Sequence, residues 1–365
     1  MALTRIQPPA LADVREPNFR NIIINGDMAV SQRATSAASV ATQQYPAVDR
    51  FQFGLAGTMG TWTFSQDTDV PTGQGFANSF KMDCTTADAS PAAADAIRIA
   101  QIIEGQNLQY LKKGTSSAVP LTLSFWVKSV LTGTYIAELY DVDNTRQVSK
   151  SYTISSASTW EYKTITFPAD TTGAFTNDNN ASLYLNFFVG AGTDYTSGSL
   201  NTSWAAVTNA NRAVGQVNLA NSTSNNFWIT GIQMEAGSVA TDFEVNTFAQ
   251  NLERCQRYYT RWQGDASDQR SIANGMVVGT AQVRMIVVYP TTLRTFPTVT
   301  ESALETLDSG KSVEAVSLNG TVDPGINAVN AQIDADSGTP YTVGQAISLR
   351  TSSSTSSYFA VDAEL

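Results

Sequence analysis

The sequence predicts an all-β protein: a jelly-roll β-sandwich, followed by a short α-helix and a second, smaller β-sandwich. Three observations favour this fold class. Charged residues make up only 15% of the 365 residues, which disfavours long helices with a charged face. Apolar residues occur in short runs that alternate with Ser, Thr and Asn, as in strands with one polar face. Clusters of Gly, Asn, Asp and Ser separate these runs, as turns require.

Residues 1–20 form the first predicted segment. Pro8, Pro9 and Pro17 restrict the backbone, and few large apolar side chains are present to build a core. We therefore expect an extended segment. Terminal segments become ordered mainly when another surface holds them, so we expect this one to dock on a partner protein or on a sister subunit.

Residues 21–245 contain the strands of the predicted jelly roll. The run Ile22–Ile24 is interpreted as an opening strand that bends at Asn25-Gly26-Asp27, because Gly accepts a positive φ and Asn and Asp bond to their own backbone. Phe51 and Phe53 mark the second strand. Further alternating stretches follow at a spacing that suits a jelly roll: Thr61–Gln66, Phe76–Cys84, Ala96–Glu104, Leu121–Ser129, Thr134–Val142, Trp160–Pro168, Ser182–Gly190 and Asn226–Glu235.

Residues 246–263 break the alternation and predict the connecting helix. Thr247 and Gln250 match a capping box at its start. Apolar side chains then recur at helical spacing, at Phe248, Leu252, Cys255 and Tyr259. The domain boundary is placed here. Residues 264–365 form the predicted second β-sandwich, and its alternating stretches are Gly275–Thr300, Lys311–Gly320, Gly344–Ser352 and Ser357–Leu365.

The composition disfavours several kinds of chemistry. The chain has no histidine, which removes the commonest general base and every His-dependent catalytic triad. A net charge of -10 opposes nucleic-acid binding, which depends on clustered Lys and Arg. Cys84 and Cys255 lack metal-type spacing and are predicted to be free thiols. Without a phosphate-binding motif or a membrane-length apolar run, we expect no cofactor, no nucleic-acid partner and no membrane insertion.

Asp27 allows two interpretations. In the first, its carboxylate belongs to the turn, and Glu235 is a residue at the end of a strand. In the second, Asp27 and Glu235 contribute to a Ca²⁺ site, because Ca²⁺ prefers clustered carboxylate and carbonyl oxygens. The first interpretation is favoured, and we assign no metal ligand.

The order of several stretches resembles a known class of proteins. NIIINGDMAV (21–30) and FWITGIQMEAGSVATDFE (227–244) resemble the first and last strands of galactose-binding-like carbohydrate-binding modules. Together with YPAVDRFQF, LTLSFWVKS, TWEYKTITFPADTTG and CQRYYTRW, they look more like bacteriophage tail-fibre and virion-appendage proteins. The resemblance implies a homotrimer on the virion, assembled in the host cytoplasm, joined to other virion proteins through residues 1–20 and presenting its β-sandwiches to host surface glycans.

Four residues are predicted to bind a ligand. Tyr45, Tyr195 and Trp204 lie in loop-like context, where aromatic rings serve as platforms for sugars. Arg50 has two interpretations: an ion pair with Asp49 that ties a strand to a loop, which is favoured, or a contact to a sugar or acidic ligand.

Other aromatic and loop residues are assigned differently. The tryptophans inside strands are predicted to be core residues: Trp126, Trp160 and Trp228. Residues 190–225 form a long stretch without clean alternation, which we expect to contact another subunit or to shape a ligand site.

The function predicted from these observations is binding without catalysis. Glycan hydrolysis needs two carboxylates across the scissile bond, and no pair of acidic residues stands out in the sequence. A β-helix repeat, as in glycan-depolymerising tailspikes, is also not detected. The alternative is an architectural role as a capsid decoration, a head fibre or a fibre adaptor, since fold does not separate these functions.

Overall fold

The computed structural model describes residues 19–308, 313–336, 338 and 340–365. Antiparallel strands dominate it, which confirms the all-β class. The predicted N-terminal attachment segment, residues 1–20, falls outside the described residues except for Phe19 and Arg20. The chain divides into two compact units, of which the first includes residues 35–247 and the second includes residues 30–34 and 248–365.

The first unit contains two six-stranded sheets. Its strands are β1 (Ser36–Val40), β2 (Gln52–Ala56), β3 (Thr61–Asp67), β4 (Ser79–Thr86), β5 (Ala96–Glu104), β6 (Leu121–Ser129), β7 (Gly133–Asp141), β8 (Arg146–Ile154), β9 (Glu161–Phe167), β10 (Ala181–Ala191), β11 (Ala205–Ala206) and β12 (Asn226–Ala236). Sheet I has the order β1-β3-β4-β12-β6-β9, and sheet II has the order β11-β8-β7-β10-β5-β2. Short helices connect some strands: the 3-10 helices Gly105–Leu111, Asn209–Asn211 and Leu219–Asn221, and the single-turn α1 (Thr193–Thr196).

Aromatic rings from both sheets meet in the core of the first unit. Phe53 of sheet II lies 5.0 Å from Phe64 of sheet I, measured between ring centroids. Phe125 of sheet I lies 5.0 Å from Phe187 of sheet II, edge to face. All four rings are buried. The two sheets therefore pack face to face as a sandwich, and alternating apolar residues of the inner strands build one apolar core.

The opening segment differs from the predicted strand, since residues 21–30 form turns and irregular backbone. Asn21 explains the difference, because its side chain takes the bonds that a strand ladder would make. Asn21 Nδ2 donates to Ile232 O at 3.0 Å, and Asn21 Oδ1 accepts from Ile23 N and Met234 N, both at 3.0 Å. The segment thus covers β12 beyond Ile229, where β12 no longer pairs with β4.

Gly26 is expected to tolerate no side chain. A Cβ atom at this position would lie 2.1 Å from the carbonyl oxygen of Ile232, and Ile232 N donates to Gly26 O at 2.9 Å. The G26A variant should therefore unfold at a temperature lower by several degrees, consistent with about 1–3 kcal/mol for overpacking of a rigid backbone contact. Thermal denaturation followed by circular dichroism measures this.

Gly73 provides the matched control, because nothing lies within 4 Å of a Cβ atom built there and its φ is +75°. G73A should cost only the strain of a positive φ, about 1 kcal/mol. Equal melting temperatures for G26A and the wild-type protein would contradict the close contact.

The second unit begins with α2 (Phe248–Gln256) and contains β13 (Tyr259–Gln263), β14 (Ser271–Gly279), β15 (Gln282–Val288), β16 (Thr298–Ser302), β17 (Leu304–Asp308), β18 (Val313–Pro324), β19 (Ala328–Ala335), β20 (Ala346–Thr351) and β21 (Tyr358–Asp362). The helix is shorter than the predicted 246–263, because the chain from Tyr259 onward pairs with β21 as a strand. Three strands form a sheet of order β13-β21-β16.

Six strands of the second unit close into a barrel of order β14-β15-β19-β18-β17-β20. The sequence predicted a second sandwich. The barrel forms because β14 pairs with β15 on one side and with β20 on the other, which leaves neither β14 nor β20 as an edge strand. A closed barrel and a sandwich share the same alternation, so strand periodicity alone does not separate them.

Residues 30–34 belong to the second unit. Arg33 forms ion pairs with Asp362 at 2.9 Å and Glu364 at 3.4 Å. Gln32 Nε2 donates to Tyr259 O at 2.7 Å, and Arg261 Nη1 donates to Arg33 O at 2.8 Å. The second unit is therefore completed by a short piece of chain that interrupts the first unit in sequence.

Cys84 and Cys255 are buried thiols that form no disulfide bond, as the sequence predicted. In the part of the chain that the structure describes, no helix has the length and apolar character needed to cross a membrane.

Candidate functional site

The outer face of sheet II carries an unusual set of polar and aromatic side chains. In β7, Tyr135, Ala137 and Leu139 point into the core, so the residues between them lie on the opposite face. Strand register aligns these outward residues in rows across the sheet. The rows are Gln147, Tyr140, Tyr184 and Ile102; Ser149, Glu138, Asn186, Ala100 and Gln52; and Ser151, Ile136, Phe188, Arg98 and Gly54.

A buried ion pair lies at the centre of this outer face. Arg212 Nε donates to Glu138 Oε1 at 2.7 Å, and Arg212 Nη2 donates to Glu138 Oε2 at 2.8 Å. Asn186 Nδ2 adds a hydrogen bond of 2.9 Å to Glu138 Oε2. Burial opposes the charged guanidinium, but the bonds to Glu138 outweigh burial and raise the pKa of Arg212. The two charges therefore cancel each other within the protein.

Arg212 belongs to a crossing segment, residues 192–218, that lies across β8 and β7 on the outer face. Backbone bonds hold it to sheet II, including Ser149 N to Asn201 O at 2.7 Å and Val217 N to Thr134 O at 3.0 Å. Ser149 Oγ also donates to Arg212 O at 2.8 Å. The long stretch predicted at 190–225 thus forms one border of the outer face.

Tyrosine rings lie beside the central ion pair. The rings of Tyr140 and Tyr184 are 5.9 Å apart and nearly perpendicular, and both side chains are partly exposed. Tyr195 of the crossing segment lies 6.4 Å from Phe188 and 5.7 Å from the Arg212 guanidinium carbon. Burial raises the pKa of Tyr184, so its hydroxyl stays protonated at neutral pH. The face offers ring surfaces and hydroxyl donors together.

Arg98 lies on the same face and, among the described residues, makes no hydrogen bond or ion pair. Its side chain passes over Gly54 of the neighbouring strand, where an added Cβ would come within 2.9 Å of Arg98 Nε. The side chain is partly buried. Burial lowers the pKa of Arg98, Arg212 lowers it further, and Glu138 acts in the opposite direction. The surroundings therefore leave the charge of Arg98 uncompensated.

Two buried amide oxygens on the outer face also lack a donor among the described residues. They are Asn186 Oδ1, on a residue that is 1% exposed, and Gln147 Oε1, on a residue that is 0% exposed. Their partners on the nitrogen side are Glu138 and Thr208 O, respectively. Buried polar atoms are nearly always paired, and a buried water molecule is the kind of partner that completes such a network.

The structure places the four predicted binding residues at separate positions. Tyr195 lies on the outer face of sheet II. Tyr45 is partly exposed and follows Gln44, whose backbone pairs with Phe53 at the β2 edge. Trp204 lies elsewhere, where its Nε1 donates to Pro168 O at 2.8 Å and its ring stands 5.3 Å from Lys113 Nζ.

Arg50 is 1% exposed, and its Nη2 donates to Ile102 O at 2.7 Å. The guanidinium is therefore held inside the protein by the backbone of β5 and is not presented at the surface, and its ion pair with Asp49 stays a prediction. Asp49 is also 1% exposed.

Beside Trp204, a buried network of charges joins the loops at one end of the sandwich. Lys113 Nζ contacts Asp141 at 2.5 Å and Asp170 at 3.1 Å, and Arg146 Nε pairs with Asp170 at 2.8 Å. Lys113 Nζ also donates to the carbonyl oxygens of Thr172 and Gly173. Because these charged groups pair with one another, we assign the network a structural role and do not include it in the ligand site.

The structure separates the three tryptophans that were predicted to belong to the core. Trp228 is buried, at 9% exposure, whereas Trp126 and Trp160 are partly exposed. Trp160 precedes β9, and none of the three packs in the apolar core between the two sheets. Lys128 Nζ stands 4.3 Å from the Trp228 ring and 5.4 Å from the Trp160 ring. Strand alternation indicates the outward direction of Trp126, because Phe125 and Val127 on either side of it both enter the core.

Asp27 and Glu235 are not assembled into a metal site. Glu235 accepts hydrogen bonds from Thr241 N, Thr241 Oγ1 and Gln233 Nε2. Among the described residues, no group of three or more His, Cys, Asp or Glu side chains is arranged to hold a metal ion.

Comparisons with known proteins give low similarity. No protein-family profile matches the chain, and no curated protein matches it. Among solved structures, the enzymatically active domain of tailspike protein 4 of bacteriophage CBA120 is similar at 16% identity and a TM-score of 0.32, over 60% of this chain. The match spans only 22% of that tailspike chain.

Two carbohydrate-binding modules of Clostridium thermocellum are similar at the same level. The C-terminal family 22 module of Xyn10B matches at 10% identity and a TM-score of 0.28, over 52% of this chain and 87% of the module. The family 11 module of the cellulase Lic26A-Cel5E matches at 14% identity and a TM-score of 0.26, over 56% of this chain and 98% of the module. These scores are too low to transfer a function, which must come from the site itself.

Proposed function

We propose that the protein binds glycans through the outer face of sheet II. The observation that carries this proposal is the arrangement of the partly exposed side chains of Tyr140, Tyr184 and Arg98 in neighbouring rows of one rigid sheet. Sugars present apolar ring faces and hydroxyl groups, and aromatic rings with adjacent amide and guanidinium groups match both. A rigid sheet holds such groups in place at low entropic cost.

We further propose that the chain is a structural protein of a bacteriophage virion, a tail fibre or receptor-binding appendage that presents its first unit to host surface glycans. Residues 1–20 would join it to other virion proteins, and the assembly would be a homotrimer. The support is the ordered set of sequence stretches that resemble such appendages. The architectural alternative keeps the same fold and location but has no glycan ligand.

Catalysis is not part of the proposal. The carboxylate at the centre of the outer face, Glu138, is occupied by Arg212 and Asn186. A general acid for glycoside hydrolysis must carry a proton and a second carboxylate must stand across the bond. Glu138 is instead bonded as an acceptor on both oxygens, so the geometry supports binding.

Replacing Tyr184 with alanine tests the site. The change removes a partly exposed ring from the outer face, and we expect affinity for the bound glycan to fall about tenfold, equivalent to about 1.4 kcal/mol. A glycan array on the purified wild-type protein identifies the ligand, and isothermal titration calorimetry then compares the variants.

Tyr162 is the matched control, because it is 47% exposed and lies outward on sheet I. Y162A should bind as well as the wild-type protein. A loss of binding in Y162A with none in Y184A would move the site to the other sheet. If the protein is found on particles but binds no glycan and does not block adsorption to cells, the architectural alternative replaces the proposal.

A further inference from the structure

The charges on the outer face of sheet II do not balance. Arg212 and Glu138 form a bidentate pair and cancel each other, whereas Arg98 has no anionic partner among the described residues. This excess positive charge stands out in a chain whose net charge is -10. A partly buried cation without a partner is costly, so its retention points to a partner supplied from outside.

We propose that the ligand is an acidic glycan whose carboxylate binds the guanidinium of Arg98. This inference rests on the proposed glycan-binding function and adds the chemical class of the sugar. Arginine presents donors in a planar fork that matches a carboxylate with two parallel hydrogen bonds. A uronic or nonulosonic acid residue carries such a carboxylate beside several hydroxyl groups.

The neighbours of Arg98 explain why its guanidinium has no hydrogen-bond acceptor in the described part of the chain. Phe188 and Gly54 flank Arg98 on the adjacent strands, and neither has a side-chain atom that accepts a hydrogen bond. The next outward residue of β5 is Ala100, which also has no polar side-chain atom. Burial raises the pKa of Tyr184, so this nearby phenol stays neutral and does not supply an anion to Arg98.

Two buried amide oxygens lie on the same sheet but do not reach a ligand. Asn186 Oδ1 lies on the strand next to Arg98, in the neighbouring row, and Gln147 Oε1 lies two strands further along the sheet. Both atoms are buried. The groups that remain for the hydroxyl groups of the sugar are the partly exposed side chains of Tyr140 and Tyr184.

The test compares acidic and neutral probes of equal size by isothermal titration calorimetry: trigalacturonic acid against galactotriose, and N-acetylneuraminyl-lactose against lactose. We expect at least one acidic probe to bind about tenfold or more tightly than its neutral counterpart, as expected for a charge-assisted bidentate contact. Raising the salt concentration should reduce the preference.

Variants of Arg98 assign the effect. R98M keeps the length of the side chain that packs on Gly54 and removes the charge, so the ratio of the two affinities should fall to near one. R98K keeps the positive charge but cannot form two parallel hydrogen bonds to a carboxylate. We therefore expect its ratio of acidic to neutral affinity to lie between those of the wild-type protein and R98M. Thermal denaturation of each variant shows that it is folded. R284M removes an exposed arginine of β15 in the second unit and should leave the ratio unchanged.

The outcomes separate this inference from the proposed function. Equal binding of acidic and neutral probes, or a preference that survives in R98M, overturns the assignment of Arg98 while glycan binding stands. Failure of every probe, together with a negative glycan array, overturns both the acidic-ligand inference and the proposed function.

Discussion

Replacing Glu138 with glutamine is expected to destabilise the first unit by about 3–5 kcal/mol, the cost of removing one partner from a buried ion pair. Glu138 is 0% exposed and binds Arg212 through both oxygens. Glutamine keeps the volume but leaves Arg212 buried without its anion. Because Arg212 holds the crossing segment to sheet II, that segment should also loosen. Urea denaturation followed by tryptophan fluorescence measures the loss of stability.

Limited digestion with trypsin gives a local readout for the same variant. We expect cleavage after Arg212 to be faster in E138Q than in the wild-type protein, because the guanidinium is no longer bound. Glu161 supplies the control, since its pair with Lys163 has side chains that are 17% and 18% exposed and lies on sheet I. E161Q should lose less than about 1 kcal/mol. Equal stability of E138Q and E161Q would mean that the central pair contributes nothing.

Replacing Lys113 with methionine should have an effect of similar size. Lys113 bridges Asp141 and Asp170, and the side chains of all three residues are at most 5% exposed. Methionine fills the space but leaves two buried carboxylates with Arg146 as the remaining cation. We expect a loss of about 3–5 kcal/mol at pH 7. Chemical denaturation of K113M, with K163M as the surface control, tests this.

The pH dependence of K113M provides a second check with a defined sign. Burial opposes ionisation of Asp170, but bonds from Arg146 and Lys113 outweigh it and lower the pKa of that carboxyl from 3.8. The Asp170 carboxylate therefore makes its whole contribution to the free energy of unfolding above the pKa of the unfolded state. That contribution is lost as the pH falls through the lower pKa of the folded state. Without Lys113 the buried carboxylates gain protons more readily. The deficit of K113M relative to wild type should shrink between pH 7 and pH 4; a deficit that grows contradicts the assignment.

Alternation in the sequence was sufficient to predict the all-β class and nine of the twelve strands of the first unit, but it missed β1, β8 and β11. It failed at Asn21–Val30, where an amide side chain replaces the backbone ladder that a strand would need. It also could not distinguish a sandwich from a barrel in the second unit, because closure depends on which distant strands pair. The predicted helix was too long because of another distant pairing: Tyr259 begins β13, which pairs with β21.

The site was less predictable than the fold. Tyr195 was identified from its loop context, but Arg98, Tyr184 and Asn186 lie inside strands and alternate with core residues like any outward side chain. They come together only because β5, β10 and β7 are neighbours in the sheet, although other strands separate them in sequence. Successive side chains of a strand point to opposite faces, and applying this rule to β6 and β12 would have placed Trp126 and Trp228 outside the core. Strand order is the information that a single sequence does not contain.

The participation of residues 30–34 in the second unit has a practical consequence for dissecting the protein. A fragment that starts at Phe248 would lack Arg33, leaving Asp362 and Glu364 without the guanidinium that pairs with them. A fragment that stops at Thr247 would carry Gln32 and Arg33 without Tyr259, Asp362 and Glu364, which they bind in the whole chain. The two units are interleaved in the polypeptide, so a clean separation requires a peptide spanning Val30–Ala34 to be added in trans or grafted ahead of the helix.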